Sequence, residues 1–284
     1  MINFLARSFA SGYTFLEAPR WHQGHLWVSD FFTRRVLKFD LQGNAEVMAA
    51  VDGMPSGLGF MPDGTPLVVS QMTHQIFRIR SGGKLELHAD LRGISACATN
   101  DMIVDARGYA YVGNWGFRLG VEPPRATKLA LVTPEGKVRV AAEDLLFPNG
   151  CAITPDGRRL ILAESFASRL TVFDIAADGS LVNRRVWAQL DKRYTPDGIC
   201  LDARGMLWVG NPLVSEFIHV CEGGQIVDVL PTPQRWAVAC VLGGADRRTL
   251  FALTAETSME DHPKGVSKAF IETINVDTEG AGIP

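Results

Sequence analysis

Residues 146–174, LFPNGCAITPDGRRLILAESFASRLTVFD, read as one complete supersecondary unit. An apolar run from Cys151 to Thr154 meets Pro155-Asp156-Gly157, and a second runs from Leu160 to Ala163. After a polar loop, Leu170 and Val172 alternate with Thr171 and Phe173. Short apolar strings bounded by Pro, Asp and Gly are strands joined by tight turns. One such unit cannot bury both of its faces, so copies must stack to make a core.

Copies are present along the whole chain. His22-Gln23-Gly24 precedes LWVSD, Pro62-Asp63-Gly64 precedes PLVVS, and Ala106-Arg107-Gly108 precedes AYVGN. Pro155-Asp156-Gly157 precedes LILAES, Ala203-Arg204-Gly205 precedes LWVGN, and Asp246-Arg247-Arg248 precedes LFALT. From Gly24 through Gly64, Gly108, Gly157 and Gly205 to Arg247 the steps are 40, 44, 49, 48 and 42 residues. Third strands are visible at Arg35–Asp40, Gln75–Ile79, Lys128–Val132, Arg169–Asp174 and Phe217–Val220, and a fourth at Lys137–Ala142. Six four-stranded antiparallel units at this period predict an all-β fold, a six-bladed β-propeller occupying residues 1–284 as a single domain. The segments Asn3–Phe9 and Phe270–Val276 are left over at the two ends, and are expected to meet in one blade and close the ring. An open all-β solenoid is the runner-up, and it would leave exposed sheet edges.

Composition removes several classes of function. The 284 residues are 46% hydrophobic and 21% charged, with a formal charge of -3, and no basic stripe is present for a nucleic acid to bind. No stretch approaches the roughly 20 apolar residues of a membrane span, and Met1–Gly12 does not have the pattern of a secretory signal. Five widely spaced cysteines without a C-x-x-C pair predict reduced, buried thiols in a cytoplasmic protein. The six histidines fit no metal-ligand spacing and read as surface or packing residues.

The repeat also serves as a ruler. Asn149 lies eight residues before Gly157, and the same offset gives Ser56, Asn100, Asp197 and Ala239; the first turn is one residue shorter and gives Glu17. These positions begin the first strand of each blade, which lines the central channel of a propeller. Pro-Asn-Gly and Pro-Asp-Gly are also ordinary turn tripeptides, so any one of these residues taken alone reads as structural. Together, Glu17, Asn100, Asn149 and Asp197 bring two carboxylates and two amides to one axis. Carboxylates gathered in a channel repel and lose hydration. A hard divalent cation relieves both problems, and an all-oxygen shell favours Ca2+, Mg2+ or Mn2+. The loops between second and third strands should lie on the same face. The longest in the middle of the chain, NWGFRLGVEPPRAT (114–127), offers Trp115 and Arg118 as walls of a substrate pocket.

Four segments carry a family resemblance. EAPRWHQGHLWVSD (17–30) resembles an E-[GSA]-P-x-W motif, and PNGCAITPDGRRLILAES (148–165) an N-G-x-x-x-x-P-D-G segment. NDMIVDARGYAYVGN (100–114) and PDGICLDARGMLWVGN (196–211) resemble N-D-x-x-x-D-x-x-G and P-D-G-x-x-x-D-x-x-G. Found together and in order over about Glu17–Thr254, they are similar to the family of senescence marker protein (regucalcin), gluconolactonase and luciferin-regenerating enzyme. The resemblance implies a six-bladed propeller with one catalytic divalent metal; ligand type puts Ca2+ first, with Mg2+, Mn2+, Fe2+ or Zn2+ as alternatives. The resemblance also implies Glu17, Asn149 and Asp197 as ligands, Asp197 as acid/base, and Asn100 as a substrate contact or fourth ligand; Asp101 beside it joins the substrate-binding candidates. Two departures stand out. Cys97-Ala98-Thr99 occupies the place where sugar-lactone members carry an Arg, and Ala18 follows the first-blade Glu instead of Gly. Ala98 and Trp115 suit a less polar lactone or ester. The expected function is metal-dependent opening of a small-molecule lactone or ester by an activated water, with phosphotriester hydrolysis or non-catalytic ligand binding as alternatives. No Gly-x-Ser-x-Gly elbow is present to support a covalent serine route.

Overall fold

A computed structural model describes residues 6–95 and 97–281. Its strands form six four-stranded antiparallel sheets arranged as a six-bladed β-propeller. The fourth blade, the unit quoted above, runs Pro148–Ile153, Arg159–Glu164, Arg169–Ile175 and Leu181–Gln189 from axis to rim. The inner strands of the other blades are Leu16–His22, Pro55–Phe60, Thr99–Val104, Ile199–Leu201 and Trp236–Gly243. Among the described residues helix is limited to short 3-10 turns, and none is long and apolar enough to cross a membrane.

The sixth blade closes the ring. Its outer strand is Arg7–Tyr13, which pairs antiparallel with Lys268–Asn275, placing Arg7 opposite Thr273. The expected terminal pieces therefore meet, shifted a few residues from the predicted bounds; Asn3–Leu5 of the first lie outside the described residues.

Why the strands read as continuous apolar runs follows from the packing. Each sheet is sandwiched between two neighbours, so successive side chains must be apolar on both faces. In the fourth blade Leu160 and Leu162 pack with Ile103, Tyr111 and Leu131 of the third, whereas Ile161 and Ala163 pack with Ile199, Leu207 and Val209 of the fifth. Six such clusters, one at each blade interface, replace a single central core. The turn aspartates have a separate, local role. Asp105 accepts the Arg107 and Tyr109 amides, and Asp202 those of Arg204 and Met206, at 2.8–2.9 Å.

Close to the axis the inner strands of the second, fourth and fifth blades leave no room for a side chain after the ring position. A Cβ on Gly150 would lie 2.4 Å from the Asp197 carbonyl oxygen and 2.7 Å from the Ile199 nitrogen. On Gly57 it would lie 2.4 Å from the Met102 nitrogen, and on Gly198 2.3 Å from the Ala239 Cβ. The Pro-Asn-Gly and Pro-Asp-Gly strings at 148–150 and 196–198 thus owe their glycine to close approach between blades. Gly150→Ala is expected to lower the unfolding free energy by about 3 kcal/mol through forced backbone displacement. Gly93→Ala, where nothing lies within 4 Å of the added carbon, is expected to change it by no more than about 0.5 kcal/mol. Urea titration of the two variants measures the difference.

Candidate functional site

In five of the six blades a local irregularity in the inner strand presents the ring residue, whereas Asp197 lies two residues before the regular inner strand Ile199–Leu201. Pairing of the inner with the second strand slips between Glu17 and Arg20, Pro55 and Leu58, Thr99 and Met102, Pro148 and Cys151, and Ala237 and Ala239. A β-bulge adds a residue on one side of a ladder and re-aims the side chain it carries. Glu17, Asn100 and Asn149, each beside such a bulge, and Asp197, ahead of its strand, all line one cavity of about 100 Å3. The other two ring positions serve packing. Ser56 donates its hydroxyl to the Asn100 carbonyl at 3.0 Å, and Ala239 sits against Gly198.

The four polar groups are buried, with 5–9% of their surface exposed. Asn149 Nδ2 donates to Ser165 Oγ at 3.2 Å, and Ser165 donates onward to the Pro196 carbonyl at 2.7 Å, which fixes the amide. Glu17 Oε2 accepts only a 3.2 Å hydrogen bond from the Ala18 amide. Asn100 Nδ2 is buried with no partner. Burial, followed by the nearby Asp197 and Asp101 carboxyls, pushes Glu17 well above the usual carboxylate range. Burial likewise pushes Asp197 up to about 8, opposed by a hydrogen bond with Asn149.

Arg20 and Asp101 form a second buried layer. Arg20 Nη2 meets Asp101 Oδ1 at 2.7 Å, Nε reaches the Leu58 carbonyl at 3.0 Å, and Nη1 the Pro19 carbonyl at 2.9 Å. Burial still raises Asp101, with Arg20 pulling the other way. Three buried carboxyls, Glu17, Asp101 and Asp197, thus face one buried guanidinium, Arg20. Fully ionised, they leave two negative charges that the protein does not balance. Glu164 shows what a compensated carboxylate looks like. Burial acts on it too, yet Arg169, the Thr171 hydroxyl and the Leu146 amide hold it below its ordinary value.

This donor set fits a hard cation. Glu17, Asn149 and Asp197 supply oxygen, Asn100 stands beside them with an unpaired amide nitrogen, and the charge deficit matches a dication. Among the described residues no group of three or more His, Cys, Asp or Glu converges as a ready-made metal cluster. Amide oxygens make up half of the four-residue ring instead.

Of the residues read from the sequence as substrate contacts, Asn100 and Trp115 line the cavity; Asp101 and Arg118 do not. Asp101 is held by Arg20. Arg118 lies at the surface, pairing with Glu122 at 2.9 Å four residues along and donating its own amide to the same carboxylate. A local loop bridge satisfies that charge in water, so it has no reason to turn inward. Sequence reasoning missed most of the wall: Phe15, Phe147 and Thr195, together with Phe31, Phe166, Trp236 and His262. The first three sit two residues before Glu17, Asn149 and Asp197, so the repeat ruler moved by two would have found them. His262 is a packing histidine in part. It contacts Phe15, with ring centroids 4.4 Å apart, and burial lowers its pKa to about 4.

Fold and ring together define a class: a six-bladed propeller with a buried oxygen-donor ring at the floor of an axial pocket. Residues 15–256 match the model described as SMP-30/Gluconolactonase/LRE-like region, and the chain belongs to that family. A 6-deoxy-6-sulfogluconolactonase of Pseudomonas putida is 26% identical over 126 residues, 44% of this chain and 43% of that enzyme, so the match spans less than half its length. Regucalcin of Gallus gallus is 22% identical over 251 residues, 86% of this chain and 84% of the relative. The solved luciferin-regenerating enzyme superposes with a TM-score of 0.84 at 18% identity, covering 98% of this chain and 97% of the other. Membership of a gluconolactonase-like family supports lactone hydrolysis.

The raised carboxyls make a pH prediction with a definite sign. Their folded-state pKa values exceed the unfolded ones, so the folded, metal-free protein binds more protons and loses stability as pH rises from about 4 to about 8. In chelator, the wild-type melting temperature should fall across this range relative to a Glu17→Gln, Asp197→Asn double variant. The comparison subtracts the buried histidines common to both proteins. Parallel melting curves at every pH would contradict the burial argument.

Proposed function

We propose that this chain is a divalent-cation-dependent hydrolase that opens a lactone or ester at the ring of Glu17, Asn100, Asn149 and Asp197. The observation that supports it most is the pair of uncompensated negative charges buried among amide oxygens at the floor of a pocket. Glu17, Asn149 and Asp197 would hold the cation, Ca2+ by ligand type, which supplies positive charge to polarise a carbonyl and stabilise an oxyanion.

The protein's own groups do the rest. Asp197 accepts a hydrogen bond from the attacking water and takes its proton as the new carbon–oxygen bond forms. Asn149, whose Nδ2 also donates to Ser165, hydrogen-bonds the Asp197 carboxylate and holds it in place. Asn100 Nδ2, lacking any partner in the protein, is available to donate to an ester oxygen of the substrate. Surrounding aromatic rings exclude bulk water, so these dipoles act at low dielectric.

Two measurements test the reading. Purified protein supplied in turn with Ca2+, Mg2+, Mn2+, Fe2+ and Zn2+ should open a lactone or aryl ester with at least one of them, and Asp197→Asn should lower kcat by about 10²–10⁴. A cation bound only to the folded state at a hundredfold excess over Kd adds about 2.7 kcal/mol. Chelator should therefore lower the melting temperature of the wild type and leave the Glu17→Gln, Asp197→Asn variant nearly unmoved. An inactive panel together with equal chelator shifts would end the proposal.

A further inference from the structure

The cavity above the ring differs in chemistry from its floor. Its wall is built from Phe15, Phe31, Trp115, Phe147, Phe166 and Trp236. These rings brace one another, with centroid separations of 5.4 Å for Phe15–Phe31, 5.8 Å for Trp115–Phe147 and 5.3 Å for Phe147–Phe166. The wall is therefore held in place without a ligand. At the mouth, Leu213 and Met259 are 49% and 45% exposed, continuing the apolar surface outward.

Hydrogen-bonding capacity on the wall is sparse. No Lys or Arg is among the cavity's lining residues, and Arg118 is engaged by Glu122. The Ser165 hydroxyl is used by Pro196, and among the described residues Thr195 Oγ1 and His262 Nε2 are the wall groups without a partner. His262 sits in an aromatic setting, in contact with Phe15 and, at 5.6 Å, Trp236, and its depressed pKa keeps the imidazole neutral. A polyhydroxylated ring entering here would surrender water at each hydroxyl with few partners in return. An anionic substituent would meet buried carboxyls and no side-chain cation. An alkyl or aryl substituent, by contrast, gains by leaving water against these rings.

We propose that the substrate class of this site is a neutral monocyclic lactone bearing an alkyl or aryl substituent in place of hydroxyl groups. Its ester lies at the oxygen floor and its substituent runs along the aromatic wall to the mouth. The inference rests on the hydrolase reading and narrows it. The reaction balances: the water oxygen bonds to the carbonyl carbon, the ring acyl–oxygen bond breaks, and the water's proton ends on the departing alkoxide, giving a hydroxy acid.

The test compares two lactones of one ring size, δ-nonalactone with its butyl chain and glucono-δ-lactone with its hydroxyls, using full-length protein and Ca2+ in a pH-stat. The kcat/KM for δ-nonalactone is expected to be at least about 100-fold higher. Phe166→Ala should lower that value about tenfold more than it lowers the value for unsubstituted δ-valerolactone, because the chain loses its wall. A fluorescence titration with the corresponding non-hydrolysable lactams, read through Trp115 and Trp236, should show the butyl lactam binding and the sugar lactam failing to bind. Equal or faster turnover of glucono-δ-lactone, or equal binding of the two lactams, overturns the substrate class and leaves the hydrolase reading standing. Absence of turnover for every lactone and ester sinks the hydrolase reading, and this inference with it.

Discussion

Inner strands of neighbouring blades run so close together at the axis that hydrogen bonds pass directly between them. The Gly150 amide donates to the Asp197 carbonyl at 3.2 Å, and the Gly198 amide to the Val238 carbonyl at 3.0 Å. Such contact requires glycine after Ser56, Asn149 and Asp197, and in five of the six blades the inner strand also bulges beside the ring residue. The bulge turns the ring side chain out of the ladder and into the cavity. Where the first blade carries Ala18 instead, the residue takes a φ of 48°, the conformation that glycine would adopt more readily. Close approach of the blades and the presentation of the ring residues thus meet at the same few positions of the inner strands.

Charge then separates the site from the scaffold. Buried carboxylates elsewhere in the chain are answered locally, as Glu164 is by Arg169 and Asp105 is by Arg107 at 2.7 Å. At the axis the only answering cation is Arg20, and it is committed to Asp101 and to three backbone carbonyls. Glu17 and Asp197 are left with a single amide each among the contacts that lower their pKa by hydrogen bonding. Keeping such groups without partners is destabilising on its own terms. That imbalance is the physical basis for assigning the pocket floor a reactive role.

The fold was legible because a propeller repeats one pattern of strands buried on both faces, which leaves similar apolar runs six times and a turn glycine in five of the six units. The ring was legible for a related reason: equal offsets in sequence become equal radii in space. Glu17, Asn100, Asn149 and Asp197 could therefore be placed together without coordinates. What the repeat could not convey was the behaviour of loops and of pairs across blades. Arg118 resembled a pocket wall by position alone, and a bridge to Glu122 within its own loop decided otherwise. Asp101 adjoined a ring residue in sequence, yet its direction depends on Arg20, 81 residues away. Phe166 comes from the fourth blade and Trp236 and His262 from two places in the sixth, and they carry no shared motif, so their convergence is tertiary.

The seam in the sixth blade has a consequence for how the chain is made. Arg7 and Thr273 pair across nearly the entire polypeptide, so the outer strand waits until the last blade has left the ribosome. Contacts of such separation form slowly and late. Glu17 and Asp197 come from the first and fifth blades, and their meeting depends on that final closure. A nascent chain with five blades complete is therefore an open arc with apolar flanks at both ends. Its acidic ring assembles only when the beginning of the chain finds its end.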